Sequence, residues 1–167
     1  NAANTVNQVY DVVRDAVLTD HPWNFAVKRI IPSLDATAPV YGFTYRFDLP
    51  TDYLRLLEID NNPEYKISGL FIECDVNPIK IKYIAKNDTA IEYDPLFVQA
   101  LALRLSSTIC ERLTQSSTLS KELFENYLKA ISAAKSVDAQ SDYPDNIEAD
   151  LWLDSRLKGT SIGSGDL

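Results

Sequence analysis

The sequence predicts an α+β fold: a helical bundle with a small antiparallel β-sheet inserted in it and an extended C-terminal tail. Three observations predict it. The stretch from Tyr93 to Asp138 carries two apolar series at helical spacing with a polar break between them. Residues 23–85 are short β-branched and aromatic runs cut by Pro, Gly, Asn and Asp. An amphipathic series precedes both, which gives the order helix, sheet, helical pair.

The first helix is expected over 5–20. Thr5 and Gln8 fit a capping box, and Val6, Val9, Tyr10, Val13, Ala16 and Val17 form the apolar stripe. His21-Pro22 ends it, because the residue before a proline is pushed out of the helical region. The β region, 23–85, opens with Trp23, Phe25, Val27, Arg29 and Ile31 in alternation, which favours a strand over a short helix. Val40 to Leu49 reads as a second strand, with Tyr41, Phe43, Tyr45 and Phe47 on one face. Leu54–Ile59, Tyr65–Ser68, Leu70–Cys74 and Ile79–Ile84 follow as short strands, and the tight turns between them suggest an antiparallel meander.

The second helix is expected over 94–113. Asp94 is its N-cap, Pro95 occupies the first turn, and Leu96, Phe97, Leu101, Leu105, Ile109 and Leu113 line one side. Thr114 to Thr118 breaks the chain, with Ser117 or Thr118 able to cap a third helix over 118–138. Leu119, Leu123, Tyr127, Ile131 and Ala134 carry its apolar side. So short a connection implies an antiparallel hairpin, with the first helix completing a bundle against it. Residues 1–141 thus form one domain, and 142–167 an extended C-terminal arm.

Composition narrows the function. The chain has 167 residues, 46% apolar and 24% charged, enough to bury a core without staples. Its 24 acidic and 16 basic residues give a net charge of −8, and the basic ones are scattered, which argues against a nucleic-acid-binding module. Cys74 and Cys110 are expected as buried free thiols. No run reaches the length of a membrane span, and the N-terminus has no signal-peptide pattern. The Asn1 start and the absence of methionine imply that an initiator was removed or that the sequence is part of a longer chain.

Motifs for chemistry are weak. Gly159-Thr160-Ser161-Ile162-Gly163 has the spacing of a nucleophile elbow, but the only histidine, His21, lies upstream and no room remains for the required helix. His21 alone makes no metal site, and Asp48, Asp52, Glu58 and Asp60 read as turn residues and a solvated strand face. Asn87-Asp88-Thr89 fits a glycosylation sequon without further context. No cofactor, metal or catalytic residue is expected. The aromatic face from Tyr41 to Phe47 is read as core packing, with a ligand face as the alternative. Trp152, between Leu151 and Leu153 in a polar tail, reads as a partner anchor. Arg156 and Leu157 join these three as the expected partner interface.

Pro22-Trp23-Asn24-Phe25-Ala26 with Arg29, Tyr41-Gly42-Phe43-Thr44-Tyr45, Leu49-Pro50-Thr51-Asp52-Tyr53-Leu54-Arg55 and Ile81-Lys82-Tyr83-Ile84 occur in that order. Tyr93-Asp94-Pro95-Leu96-Phe97, Ala100-Leu101-Ala102, Leu113-Thr114-Gln115-Ser116 and Asp138-Ala139-Gln140 continue the series. This ordered set resembles the tail tubular protein A family of short-tailed bacteriophages, the adaptor beneath the portal, over residues 5 to 141.

The resemblance implies a non-enzymatic structural virion protein: a homo-oligomeric ring, usually a dodecamer, joining the portal protein to the tail nozzle protein. Tail fibres are a further candidate partner. DNA would pass through the channel without specific binding, no membrane is involved, and the ring would be assembled in the host cytoplasm and reside at the head-tail interface. A cytoplasmic protein-interaction or ligand-binding domain using the aromatic face is the alternative.

Overall fold

The computed structural model describes residues 2–114 and 116–141. They form a mixed α+β fold of three helices and two antiparallel three-stranded sheets. The helices are α1 (Ala2–Asp20), α2 (Pro95–Thr114) and α3 (Ser117–Ser141). The strands are β1 (Val27–Ile30), β2 (Tyr45–Asp48), β3 (Tyr53–Ile59), β4 (Tyr65–Ser68), β5 (Phe71–Cys74) and β6 (Ile81–Ala85). One sheet has the order β1-β6-β3 and the other β2-β5-β4, so the expected single sheet and its meander are corrected to two sheets with non-sequential pairing.

The first sheet is the middle layer. Its strand β6 alternates: Ile84 joins Val17, Leu18, Trp23, Phe97, Tyr127 and Ile131 in a core on the helical side. Ile81, Tyr83 and Ala85 join Phe47, Leu49, Ile72 and Cys74 in a second core against the other sheet. A strand buried on both faces reads as a continuous apolar run, as Ile81–Ala85 nearly does. In β3 the strict alternation fails. Leu54 and Leu57 pack towards the helices while Tyr53, Leu56 and Ile59 pack the other way. Two register shifts against β6, between Tyr53 and Arg55 and between Leu56 and Glu58, supply the extra residues that change the period.

Several expected boundaries move. Asn24–Ala26 is a 3-10 turn, and only Val27–Ile30 of the predicted alternating run is strand. The Trp23 indole donates to the Val17 carbonyl at 3.1 Å, so the ring covers the end of α1 and cannot lie flat on a sheet. The strand expected from Val40 begins only at Tyr45, because Gly42 takes a φ of +94°, which turns the chain out of any ladder. The aromatic ladder therefore does not form: Phe47 is buried in the core, whereas Tyr41 is exposed on a loop. The helix expected from Thr5 already runs from Ala2, so Thr5 and Gln8 are not its capping box.

Asp94 does cap α2, its carboxylate accepting from the Leu96 N–H at 2.7 Å. Before α3 the hydroxyl that accepts is Ser116 Oγ, 3.3 Å from the Leu119 N–H, rather than that of Ser117 or Thr118. Along the α2–α3 contact, Ser120 Oγ donates to the Ser107 carbonyl at 2.9 Å. Arg104 stacks over Phe124 at 4.7 Å and Tyr127 at 5.4 Å. The two apolar series are only half buried. A strict four-residue repeat drifts about 40° around the helix per step. Phe97 and Leu101 therefore face the core while Leu113 is exposed, and likewise Tyr127 and Ile131 are buried while Leu119 is not. Ala16, expected in the α1 stripe, is exposed, and Leu18 fills that place.

Candidate functional site

Three polar clusters tie the layers together. At the junction of α1 with the segment before α2, Arg14 is buried and donates through Nε and Nη2 to Asp15 Oδ1 at 3.0 and 2.8 Å. Its Nη1 lies 3.1 Å from Asp11 and 2.7 Å from Asp88, and the guanidinium sits over the Tyr10 ring. Burial opposes the charged form there, but the bond and charge of Asp15, then Asp88, outweigh it and raise the Arg14 pKa. At the rim of the first sheet, Asp52 accepts from Lys28 Nζ at 2.6 Å and from the Tyr83 hydroxyl at 3.0 Å. Burial pushes the Asp52 carboxyl up, but those two bonds and the Lys28 charge prevail and hold it below its ordinary value. The Tyr83 phenol is pushed up to about 12 by burial and then by Asp52. Between α1 and α3, the Tyr127 hydroxyl donates to the Asp20 carboxylate. Burial and that bond raise the Tyr127 pKa.

Each of these groups is held by its neighbours rather than aimed at an open cleft, which is a geometry for structure rather than for proton transfer. Asp52 sits in a turn, as expected, immediately before β3, and from there it joins β1 to β6. The Asn87 side chain accepts from the Thr89 N–H at 2.7 Å, so the sequon residues form a local turn. His21 packs edge-on against Trp23 at 5.1 Å. Cys74 and Cys110 are buried free thiols, and burial pushes the Cys74 pKa up. Among the described residues no group of three or more His, Cys, Asp or Glu could hold a metal ion, and no helix is long and apolar enough to cross a membrane. A cleft of about 450 Å³ along the first sheet is lined by Arg29, Lys82, Glu58 and the Lys80–Asp60 ion pair, three cations to two anions, beside Ile30, Ile31 and Ile81.

The chain matches no family model and no curated protein. Helix α2 carries a second apolar stripe, Val98, Ala102, Leu105, Ile109 and Leu113, spaced four, three, four and four residues apart. Val98 is 48% and Leu113 49% exposed, and Phe124 and Leu128 on α3 are exposed as well. The drift of the four-residue repeat could have revealed this stripe in the sequence, but a single stripe per helix was expected. The predicted partner residues Leu151, Trp152, Leu153, Arg156 and Leu157, and the Gly159–Gly163 motif, lie outside the described residues.

Proposed function

We propose that this chain is a ring-forming adaptor at the head-tail junction of a short-tailed bacteriophage, placed between the portal and the tail nozzle and extending the DNA exit channel. The observation that carries the reading is the second apolar stripe of α2, which the chain's own fold leaves exposed at Val98, Ala102 and Leu113. A surface helix of a monomer needs one apolar face, and a second one suits a neighbour in a heterologous contact that closes into a ring. We read α2 and α3 as an antiparallel hairpin, with α1 completing a bundle and the helices of adjacent subunits lying side by side.

The resemblance to tail tubular protein A supports the same reading. Two of its pieces, Trp23-Asn24-Phe25 and Tyr93 to Phe97, lie far apart in the chain and meet in one aromatic cluster. The rings of Trp23, Phe25 and Tyr93 stand 5.2, 5.1 and 4.9 Å from that of Phe97, and Phe25 stands 5.6 Å from Tyr93. A net charge of −8 suits a channel wall that repels DNA and so gives it no counterion-release gain for holding on. The function is non-enzymatic and needs no cofactor. Residues 142–167 form the arm, with Leu151, Trp152 and Leu153 as its anchor. A chain lacking residues 147–167 should keep the helical circular dichroism of the full chain but fail to dock on the portal. Undiminished portal binding would remove the arm from this account.

A further inference from the structure

We infer that the outer edge of β4 is a strand-addition site and that its occupant is residues 150–154 of a neighbouring copy. The inference deepens, and rests on, the reading of this chain as a ring subunit. Strand β4 is the last of its sheet, paired only to β5 through the tight turn at Gly69-Leu70. Antiparallel alternation about a two-residue turn directs the backbone groups of Lys66 and Ser68 to β5 and those of Tyr65 and Ile67 outward. Among the described residues no other strand or loop backbone bonds to Tyr65 or Ile67. Their side chains lie on the core side of the sheet in register with Cys74 and Ile72, yet Tyr65 is 44% and Ile67 41% exposed. Among the described residues the edge thus offers unpaired backbone groups beside half-exposed apolar surface.

Asp150-Leu151-Trp152-Leu153-Asp154 has the matching period. Added antiparallel with Leu151 beside Ile67 and Leu153 beside Tyr65, it extends the inner apolar face by two leucines. The same register sets Trp152 beside Lys66 on the outer face. There a cleft of about 320 Å³ opens between Lys66, Ser68, Arg46, Glu73 and the loop residues Tyr41 and Phe43, with Glu73 already held by Arg46 at 3.3 Å. The indole fits that cleft as an aromatic anchor over a cation. Asp150 and Asp154 fall on the diagonals of Lys66, within reach of a long side chain. Lys66 in mid-edge disfavours a basic strand and favours this acidic one. Glu64 opposite Asp154 ends the favourable register, so the added strand is short and specific.

The test uses full-length chains with Ile67→Cys in one copy and Leu151→Cys in the other, mixed with portal present and oxidised. The native thiols at Cys74 and Cys110 are buried. A disulfide-linked heterodimer is expected, with Lys66→Glu lowering its yield about tenfold by setting like charges beside the aspartates. No heterodimer, an equal yield from Val12→Cys with Leu151→Cys, or a cross-link found only within one chain of the double variant would overturn the strand addition. Particle mass measured on the same samples separates the two ideas. A ring without the cross-link removes the strand addition alone, and a cross-linked pair that never closes into a ring removes the ring.

Discussion

Replacing Arg14 by methionine tests the link between α1 and the segment that leads into α2. Methionine keeps most of the apolar stem and removes every donor. Asp11 and Asp88 have side chains 71% and 68% exposed, so they return to water, and each lost pair costs at most about 0.5 kcal/mol. Asp15 is different: its side chain is 25% exposed, and it loses two charge-assisted bonds, worth together about 2–3 kcal/mol. Among the described residues it keeps Lys86, at 3.7 Å. Relief of the buried guanidinium's own desolvation offsets part of this, leaving an expected loss of about 2 kcal/mol. Adding Asp15→Asn to Arg14→Met removes the stranded carboxylate and should recover about half of that loss. Urea unfolding followed by far-UV circular dichroism measures both, provided the slope against urea is unchanged. A loss below about 0.5 kcal/mol for Arg14→Met, or strict additivity in the double variant, would refute the reasoning.

Trp23→Ala opens the centre of the helical core and removes the indole bond to the Val17 carbonyl, so urea unfolding should show a loss of about 3–5 kcal/mol. Asp52→Asn should cost about 1 kcal/mol at neutral pH. A carboxyl held below its ordinary pKa adds stability that is present above the unfolded-state value and lost as pH falls through the lowered one, so the gap between wild type and variant should close on acidification. A gap independent of pH would contradict the cluster described here. Val98→Asp combined with Leu113→Asp alters exposed positions, so the monomer's stability should move by under about 0.5 kcal/mol while ring formation on the portal is lost. Rings of wild-type yield would show that the stripe is not the wall between subunits.

The α+β class and the three helices were legible because Asp94-Pro95 and His21-Pro22 punctuate strongly and the apolar spacing of α2 and α3 is long. The pairing of the strands was not. Hairpin signals such as Gly69 report only neighbours in sequence, whereas β1 finds β6 and β2 finds β5 across the chain. The shifts in β3 were hidden because Arg55 and Glu58, three apart in Tyr53–Ile59, break the alternation without saying where the ladder slips. Tyr41 to Phe47 misled because alternation outweighed the one glycine that breaks it. Of the candidate surfaces, the α2 stripe is written in Val98, Ala102 and Leu105, because a repeat of four drifts from one face of the helix onto a second.

The proposed ring is tested most directly by mixing the full-length chain with the portal of a short-tailed bacteriophage. Electron micrographs of that mixture should show the portal ring extended by a closed ring of copies of this 18.7 kDa chain around an open channel, dodecameric like the family it resembles. A portal ring left bare, with the chain beside it as monomer or dimer, would contradict it.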